Sequence, residues 1–429
     1  MADEFSVSVA FGKTPEEAVK YFESKIPKGP NGPNGHWNWT DTMRNSHDMA
    51  FVVAKATSLD LVKSVHASLA NALREGKSYQ SFANDIIPEL QKRGWWGKGV
   101  TVKAGEKEAT IDIGHRRLMN IYNTNMHTAY AAGEYMAMKT EVEDYPYWQY
   151  VALTGGNRRE EHQVLNGKVF RHDDPIWGVI YPPNGWGCQC TVEQLSQWDI
   201  DNSGIKVSQT SGGDFETRKT IIQGRHIETT GVRVGNKMMY AQDGWDYSPG
   251  EYSVQYQSML YNKINESFIS DSAKKELQRQ LDNSINKSFS KFVKDNLVAG
   301  VSTGRDAISV AMMPSRIAGK LNSPPILTVS SESMVHSLRE KKQMKDKAIP
   351  LSEFITLPTN INEWIAKNGI RQENRTDDIL IYSESFKDGE KISRYKAVFT
   401  RRFKGIDHYT LISITKVGAD SMGNGSHEV

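Results

Sequence analysis

The sequence predicts an α+β protein: a mostly helical N-terminal half, an irregular loop region rich in proline, glycine, tryptophan and cysteine, a helical arm, and a C-terminal antiparallel-sheet domain with covering helices. Three observations carry that prediction. Apolar residues recur at three and four through most of residues 48–139, the period of one face of a helix. The run Tyr181-Pro182-Pro183-Asn184-Gly185-Trp186-Gly187-Cys188-Gln189-Cys190 follows neither the helix nor the strand period. Beyond residue 316, short helical stretches give way to segments that alternate with a period of two.

A chain of 429 residues exceeds one small core, and the composition shifts suggest residues 1–210, 211–315 and 316–429 as separate segments. The 53 basic and 51 acidic side chains nearly cancel, so no global field calls for a nucleic acid or membrane partner. The acidic start Met1-Ala2-Asp3-Glu4 has no apolar stretch behind it and does not read as a secretory signal. No run approaches the roughly 18 apolar residues of a membrane span. The two cysteines, spaced C-x-C, make no disulfide framework and suit a reducing cytoplasm during synthesis.

The first helix is expected over residues 14–25, with a Thr N-cap, proline in the first turn and acids behind it. Residues 27–35, with three prolines and three glycines, must form a loop, and Trp37 and Trp39 then need cover. Phe51, Val52, Leu59, Val62, Val65, Leu69 and Leu73 predict two helices meeting at a Ser58 cap. Phe82, Ile86, Ile87 and Leu90 predict a third that stops at Gly94, with Trp95 and Trp96 beyond it. Leu118, Ile121, Tyr122, Thr128, Ala129, Ala132 and Met136 mark one side of a longer helix over 114–139.

In the 181–190 run, two prolines without N–H donors and two glycines free to take positive φ specify a fixed turning loop with Trp186 as its anchor. With Arg158 or Arg159, His162, Leu165, Gly167 and the Asp173-Asp174-Pro175 step ahead of it, this segment resembles the signature of the phage Mu protein F family, minor head proteins of tailed bacteriophages. The helical stretches HDMAFVVAKATSLDL, IYNTNMHTAYAAGEY and PYWQYVA are similar to that family in order and spacing, so the likeness covers about the first half. The chain departs from the pattern at Gln189, where arginine is usual, and at Glu160-Glu161, where Arg-Pro precedes the histidine.

Past Leu195 the polar, Gly/Ser-rich residues 201–213 read as a linker or surface excursion, and 238–250, MMYAQDGWDYSPG, resemble a downstream family element with Ser248 in place of asparagine. Residues 252–297 predict two or three helices with Leu260, Ile264, Phe268, Leu277, Leu281, Ile285, Phe289, Phe292 and Leu297 on their apolar sides. Their alternating charges suggest an arm or spacer. From Ala311 to Ser315 the helical signal stops.

In the C-terminal segment the sequence predicts a strand at 326–329, helices at 330–341 and 352–355, and strands at 379–383, 392–400 and 409–417, the last two joined by a turn at 403–407. Such a sheet has one helix-covered face and leaves the other for a ligand. Period-two alternation puts Arg394 and Lys396 together, Arg401 and Arg402 follow, and His408 lies past the turn. Cations beside a histidine are what metal-independent RNA cleavage by 2′-OH attack requires, with His336 as a second acid/base. Leu327-Thr328-Val329-Ser330, the His336 helix with Lys341-Lys342, and Tyr409-Thr410-Leu411-Ile412-Ser413 loosely resemble phage-associated nucleases of the barnase, EndoU, colicin and RelE-like class. That likeness implies His336, Arg394, Lys396, His408 and Ser413 as candidate catalytic residues. The same basic strand also reads as a solvated edge protected against aggregation.

Arg159, His162, Pro182, Pro183, Gly185 and Trp186 are the candidate structural loop residues. His162, with Cys188 and Cys190 and with His172 as a second candidate ligand, has three readings: a ligand of a structural zinc, a base beside a thiol nucleophile, or a buried histidine holding the Pro-Pro loop. No other cofactor is called for. The Mu F likeness implies a virion head protein, made in the host cytoplasm, that meets the portal, major capsid or scaffold proteins, with DNA or RNA contacted through the C-terminal domain. The alternative is a phage-delivered nuclease effector whose N-terminal half is a packaging signal. Tryptophans at 37–39 and 95–96 are the expected contact points.

Overall fold

The computed structural model describes residues 16–31, 36–44, 46–153, 159–251, 253–267, 269–299, 307–338, 347–374, 376, 378–402, 408–421 and 426–429. Arg158, Phe268, the Lys341-Lys342 pair and the 403–407 turn lie outside these residues. The chain forms two compact units, 1–256 and 257–429. The middle segment expected at 211–315 therefore divides between them.

In the first unit, helix Glu16–Glu23 lies on the long helix His115–Thr140. The contact is close because Gly133 has no side chain: a Cβ there would stand 3.1 Å from the Ala18 nitrogen. Helix Leu59–Glu75 starts where the Ser58 hydroxyl accepts from the Leu61 N–H at 3.2 Å and ends at Gly76, whose φ of +61° suits glycine. Of the expected helical pair at 48–74, the second forms in full and the first is cut short at Ser46–Met49. Residues Ala50–Phe51 instead make a short strand beside Ile26–Pro27. Helix Tyr79–Lys92 follows, and then a hairpin, Gly97–Ala104 with Lys107–Ile113, that the sequence reading missed.

After the long helix comes a four-stranded sheet in the order Thr191–Leu195, Tyr147–Val151, Val169–Arg171, Val207–Ser208. Its centre is Trp148, fully buried, with Tyr135, Trp177 and Tyr181 around it at ring-centroid distances of 5.9, 5.5 and 5.9 Å. Residues 201–213 are not a linker. They hold the end of helix Gln197–Ser203 and the 207–208 strand, and the Thr210 N–H donates to Asp174 Oδ2 at 2.9 Å. A second sheet, Phe215–Ile222, Arg225–Val234 and Lys237–Tyr240, also went unread because its exposed positions are densely charged.

The second unit contains helix Asp271–Ala299, whose Leu277, Leu281, Ile285, Phe289 and Phe292 are buried. It is no spacer: the Phe289 ring meets the Phe354 ring at 5.9 Å, inside the core. The sheet runs 307–312, 326–330, 408–418, 391–402, 379–382, 371–373, 426–428, with 386–388 alongside 391–402. It begins at Ala307–Met312, where the sequence showed only the end of a helix, and it is mixed, since 326–330 and 408–418 run parallel. Helix Leu357–Asn368, unread in the sequence, covers it with Ile361, Trp364 and Ile365. No helix among the described residues is long and apolar enough to cross a membrane.

Candidate functional site

The Pro182–Trp186 corner is held from several directions within the first unit. Pro182 and Pro183, joined by a cis peptide, are buried together with Asn184. The Asn184 side-chain amide donates to the Tyr150 hydroxyl at 2.9 Å and to the Ile180 carbonyl at 3.0 Å, while the Asn184 backbone carbonyl accepts from the Gln242 N–H at 3.0 Å. Arg159 donates to the Trp186 carbonyl. The Trp186 ring stands edge-on to Trp245 at 5.1 Å and to Trp39 at 6.1 Å. The 238–250 element is thus part of the same body. Asp246 reinforces it by accepting from Arg44 Nε at 2.7 Å and from the Thr230 N–H at 2.9 Å.

Below the corner, His162 sits on the short helix Glu160–Gln163 and is 4 % exposed. Its Nδ1 lies 3.6 Å from Cys188 Sγ and 3.5 Å from Cys190 Sγ. Among the described residues these three form a cluster whose ligand atoms all lie within 4.8 Å of one another. The hydrogen bond from the Cys188 thiol holds Cys190 well below the usual thiol range, with His162 and Tyr150 assisting against burial. The same bond, together with burial, pushes Cys188 up, so the pair favours one thiolate. His172 is buried against Trp148 and stands outside the cluster.

Both thiols line a cavity of about 230 Å³ walled by Tyr181, Pro182 and Pro183, onto which His127 and Glu134 also open. Burial lifts the Glu134 carboxyl to about 7. Burial also lowers the His127 pKa, against a hydrogen bond to the Cys188 backbone.

The tryptophans expected as contact points are not exposed ones. Trp95 is fully buried, its Nε1 donating to the Lys55 carbonyl at 2.9 Å; Trp37 is buried, and Trp39 and Trp96 are half-buried. Among the described residues the most exposed tryptophan is Trp198, at 70 %, and Trp186 is exposed at 37 %.

In the second unit, strand pairing sets Lys396 opposite Thr415, Val398 opposite Ser413 and Arg402 opposite His408, with a bulge after Val398. Arg394, Lys396, Ser413 and His408 therefore share one face. Arg394 and the Arg402–His408 pair are eight residues apart along the strand, roughly 25 Å, too far for one reacting centre. That face is not open throughout, for Thr328 and Thr410 are buried and hydrogen-bonded at 3.0 Å. Arg394 donates to Ser385 Oγ at 2.7 Å, and Arg401 donates to the Asn322 carbonyl at 2.7 Å. His336 is half-buried on helix Ser331–Leu338.

Residues 63–193, which include the corner, match the family model described as Phage Mu protein F like protein. Along 95% of its length the chain is 32% identical to the putative capsid assembly protein F of Escherichia phage Mu, of which it covers 92%. The chain belongs to the phage Mu protein F-like family. It is also 29% identical to the Mu-like prophage FluMu F protein of Haemophilus influenzae, over 75% of this chain and 80% of that one. No solved structure matches it. In this member of the Mu F-like family, the positions that depart from the pattern, Gln189, Glu160 and Glu161, are exposed, and the buried framework of the corner does not depend on them. Tyr150, Asn184 and Gln242 were not foreseen as site residues, although Asn184 lies inside the Pro-Pro-x-Gly run and Gln242 precedes the Gly-Trp-Asp-Tyr element.

Proposed function

We propose that this chain is a minor head protein acting in capsid assembly of a Mu-like bacteriophage, present in the virion head and made in the host cytoplasm. The observation that supports this reading is the end-to-end likeness to a protein named for capsid assembly, which spans both units and not the corner alone. The portal, major capsid and scaffold proteins are the partners this role calls for. A corner tied by buried hydrogen bonds suits a part that must present the same surface each time it is incorporated. Counting the chain per purified particle tests the proposal. A small, reproducible number in heads is expected, and its absence from both particles and head intermediates overturns it.

The nuclease-effector reading ranks below this one. It needs Arg394, Lys396 and His408 to act on one phosphate, and their spacing along the strand pair opposes that. Degradation of RNA by the full chain, lost in His408→Ala, would restore it.

A further inference from the structure

We infer that His162, Cys188 and Cys190 bind one zinc-class cation, with the fourth coordination position facing the cavity that holds Glu134. The inference is independent of the role in head assembly.

The distances argue for a cation at the centre of the three groups. Zinc bonds to sulfur at about 2.3 Å and to imidazole nitrogen at about 2.0–2.1 Å, so a tetrahedral site sets each nitrogen–sulfur pair about 3.5–3.6 Å apart. The two pairs here measure 3.5 and 3.6 Å. Hydrogen bonding alone accounts poorly for both at once. A neutral Nδ1 has one lone pair and accepts one S–H, or it carries one proton and donates it. The Cys188 thiol proton is already spent on Cys190, and His162 can serve Cys190 with its one proton, so the 3.6 Å contact between Cys188 and Nδ1 has no hydrogen of its own and a shared cation accounts for it. The donor set is also what zinc prefers, thiolate and imidazole, and soft ligands of this kind discriminate against magnesium and calcium.

The surroundings hold the donors in place, as ligand-supporting groups do at metal sites. Asn184 donates to the Tyr150 hydroxyl at 2.9 Å, and Tyr150 hydrogen-bonds the Cys190 sulfur. The backbone of Leu153 adds a second bond to that sulfur, and the backbone of Asn184 one to the Cys188 sulfur. The proline corner thus fixes one thiol directly and the other through Tyr150.

Three protein donors leave one tetrahedral position. Both cysteines line the 230 Å³ cavity and His162 does not, so the imidazole approaches from behind and the vacant direction faces the cavity. The cavity is ample for a water in that position, with Glu134 and His127 on the same cavity.

The test is metal analysis of the purified full chain after dialysis, together with replacement of the bound metal by cobalt(II). About one zinc per chain is expected, falling below about one tenth in Cys190→Ser and His162→Ala. Cobalt should give the near-ultraviolet thiolate charge-transfer band and the visible bands of a tetrahedral site. Should a variant fail to fold, the wild-type cobalt spectrum still decides. Wild-type protein with no stoichiometric zinc, or a cobalt form without the thiolate band, overturns the inference.

Discussion

The Trp186 backbone N–H donates to the side-chain oxygen of Gln242 at 2.7 Å, joining the proline corner to a residue 56 positions downstream. Gly185 makes that bond possible. Its φ is +156°, and a Cβ there would fall 2.7 Å from Arg159 Nη1 and 2.8 Å from Gln242 Cδ. Gly185→Ala must therefore push aside both groups that hold Trp186. A loss of about 1–3 kcal/mol is expected in chemical denaturation of the full chain. Unchanged stability would mean that the corner is not held through Gln242.

Arg44 and Asp246 make a second tie of the same kind. The Asp246 side chain is 3 % exposed and that of Arg44 33 %, so removing the carboxylate strands a partly buried guanidinium and the Thr230 N–H. Asp246→Ala should cost about 2–4 kcal/mol, more than the loss of a surface ion pair. Thermal melts of the two proteins at equal concentration check this.

Lys25 offers a pH test. It is 5 % exposed, with its ammonium 4.4 Å from the Tyr21 ring centroid, and burial lowers its pKa from 10.5 to about 8 despite the nearby Asp48. Below pH 8 both folded and unfolded chains carry the charge, and the folded state bears the full penalty, about 3 kcal/mol. Between pH 8 and 10.5 the folded chain sheds the proton while the unfolded chain keeps it, so the penalty is progressively relieved. Lys25→Met should therefore stabilise at pH 7, and the difference between the two proteins should shrink above pH 8. Equal stability at pH 7 contradicts this.

Much of the fold was legible because periodicity reports burial. Leu118, Tyr122, Ala129, Ala132 and Met136 were marked as one side of a helix and are buried on it. The 215–240 sheet was not, since charged residues such as Arg218, Lys219 and Glu228 dominate its exposed faces and dilute the strand signal. The strand at 307–312 does carry β-branched Ile308 and Val310 at alternate positions, but the signal is only six residues long and follows a long helical pattern that overshadows it. At the corner, the Pro-Pro-x-Gly-Trp and C-x-C spacings announced a shaped loop. Its ties to Tyr150 and Gln242 are long-range, and a single sequence holds no record of such pairs. The tryptophans at 37 and 95 were misjudged for a related reason: loop position says little about what folds over it.

Trp198 takes over as the candidate contact residue. At 70 % exposure its removal should shift stability by no more than about 0.5 kcal/mol. If other head proteins recognise this surface, Trp198→Ala should nevertheless lower the amount of chain recovered in assembled heads. Normal recovery would place the contact elsewhere.

The most direct measurement is electron microscopy of lysates from a producing phage in which this reading frame is stopped, with the wild-type chain supplied from a plasmid as control. Loss of DNA-filled heads, restored by the plasmid, is the predicted result. Normal heads at full titre without the chain would contradict a role in head assembly.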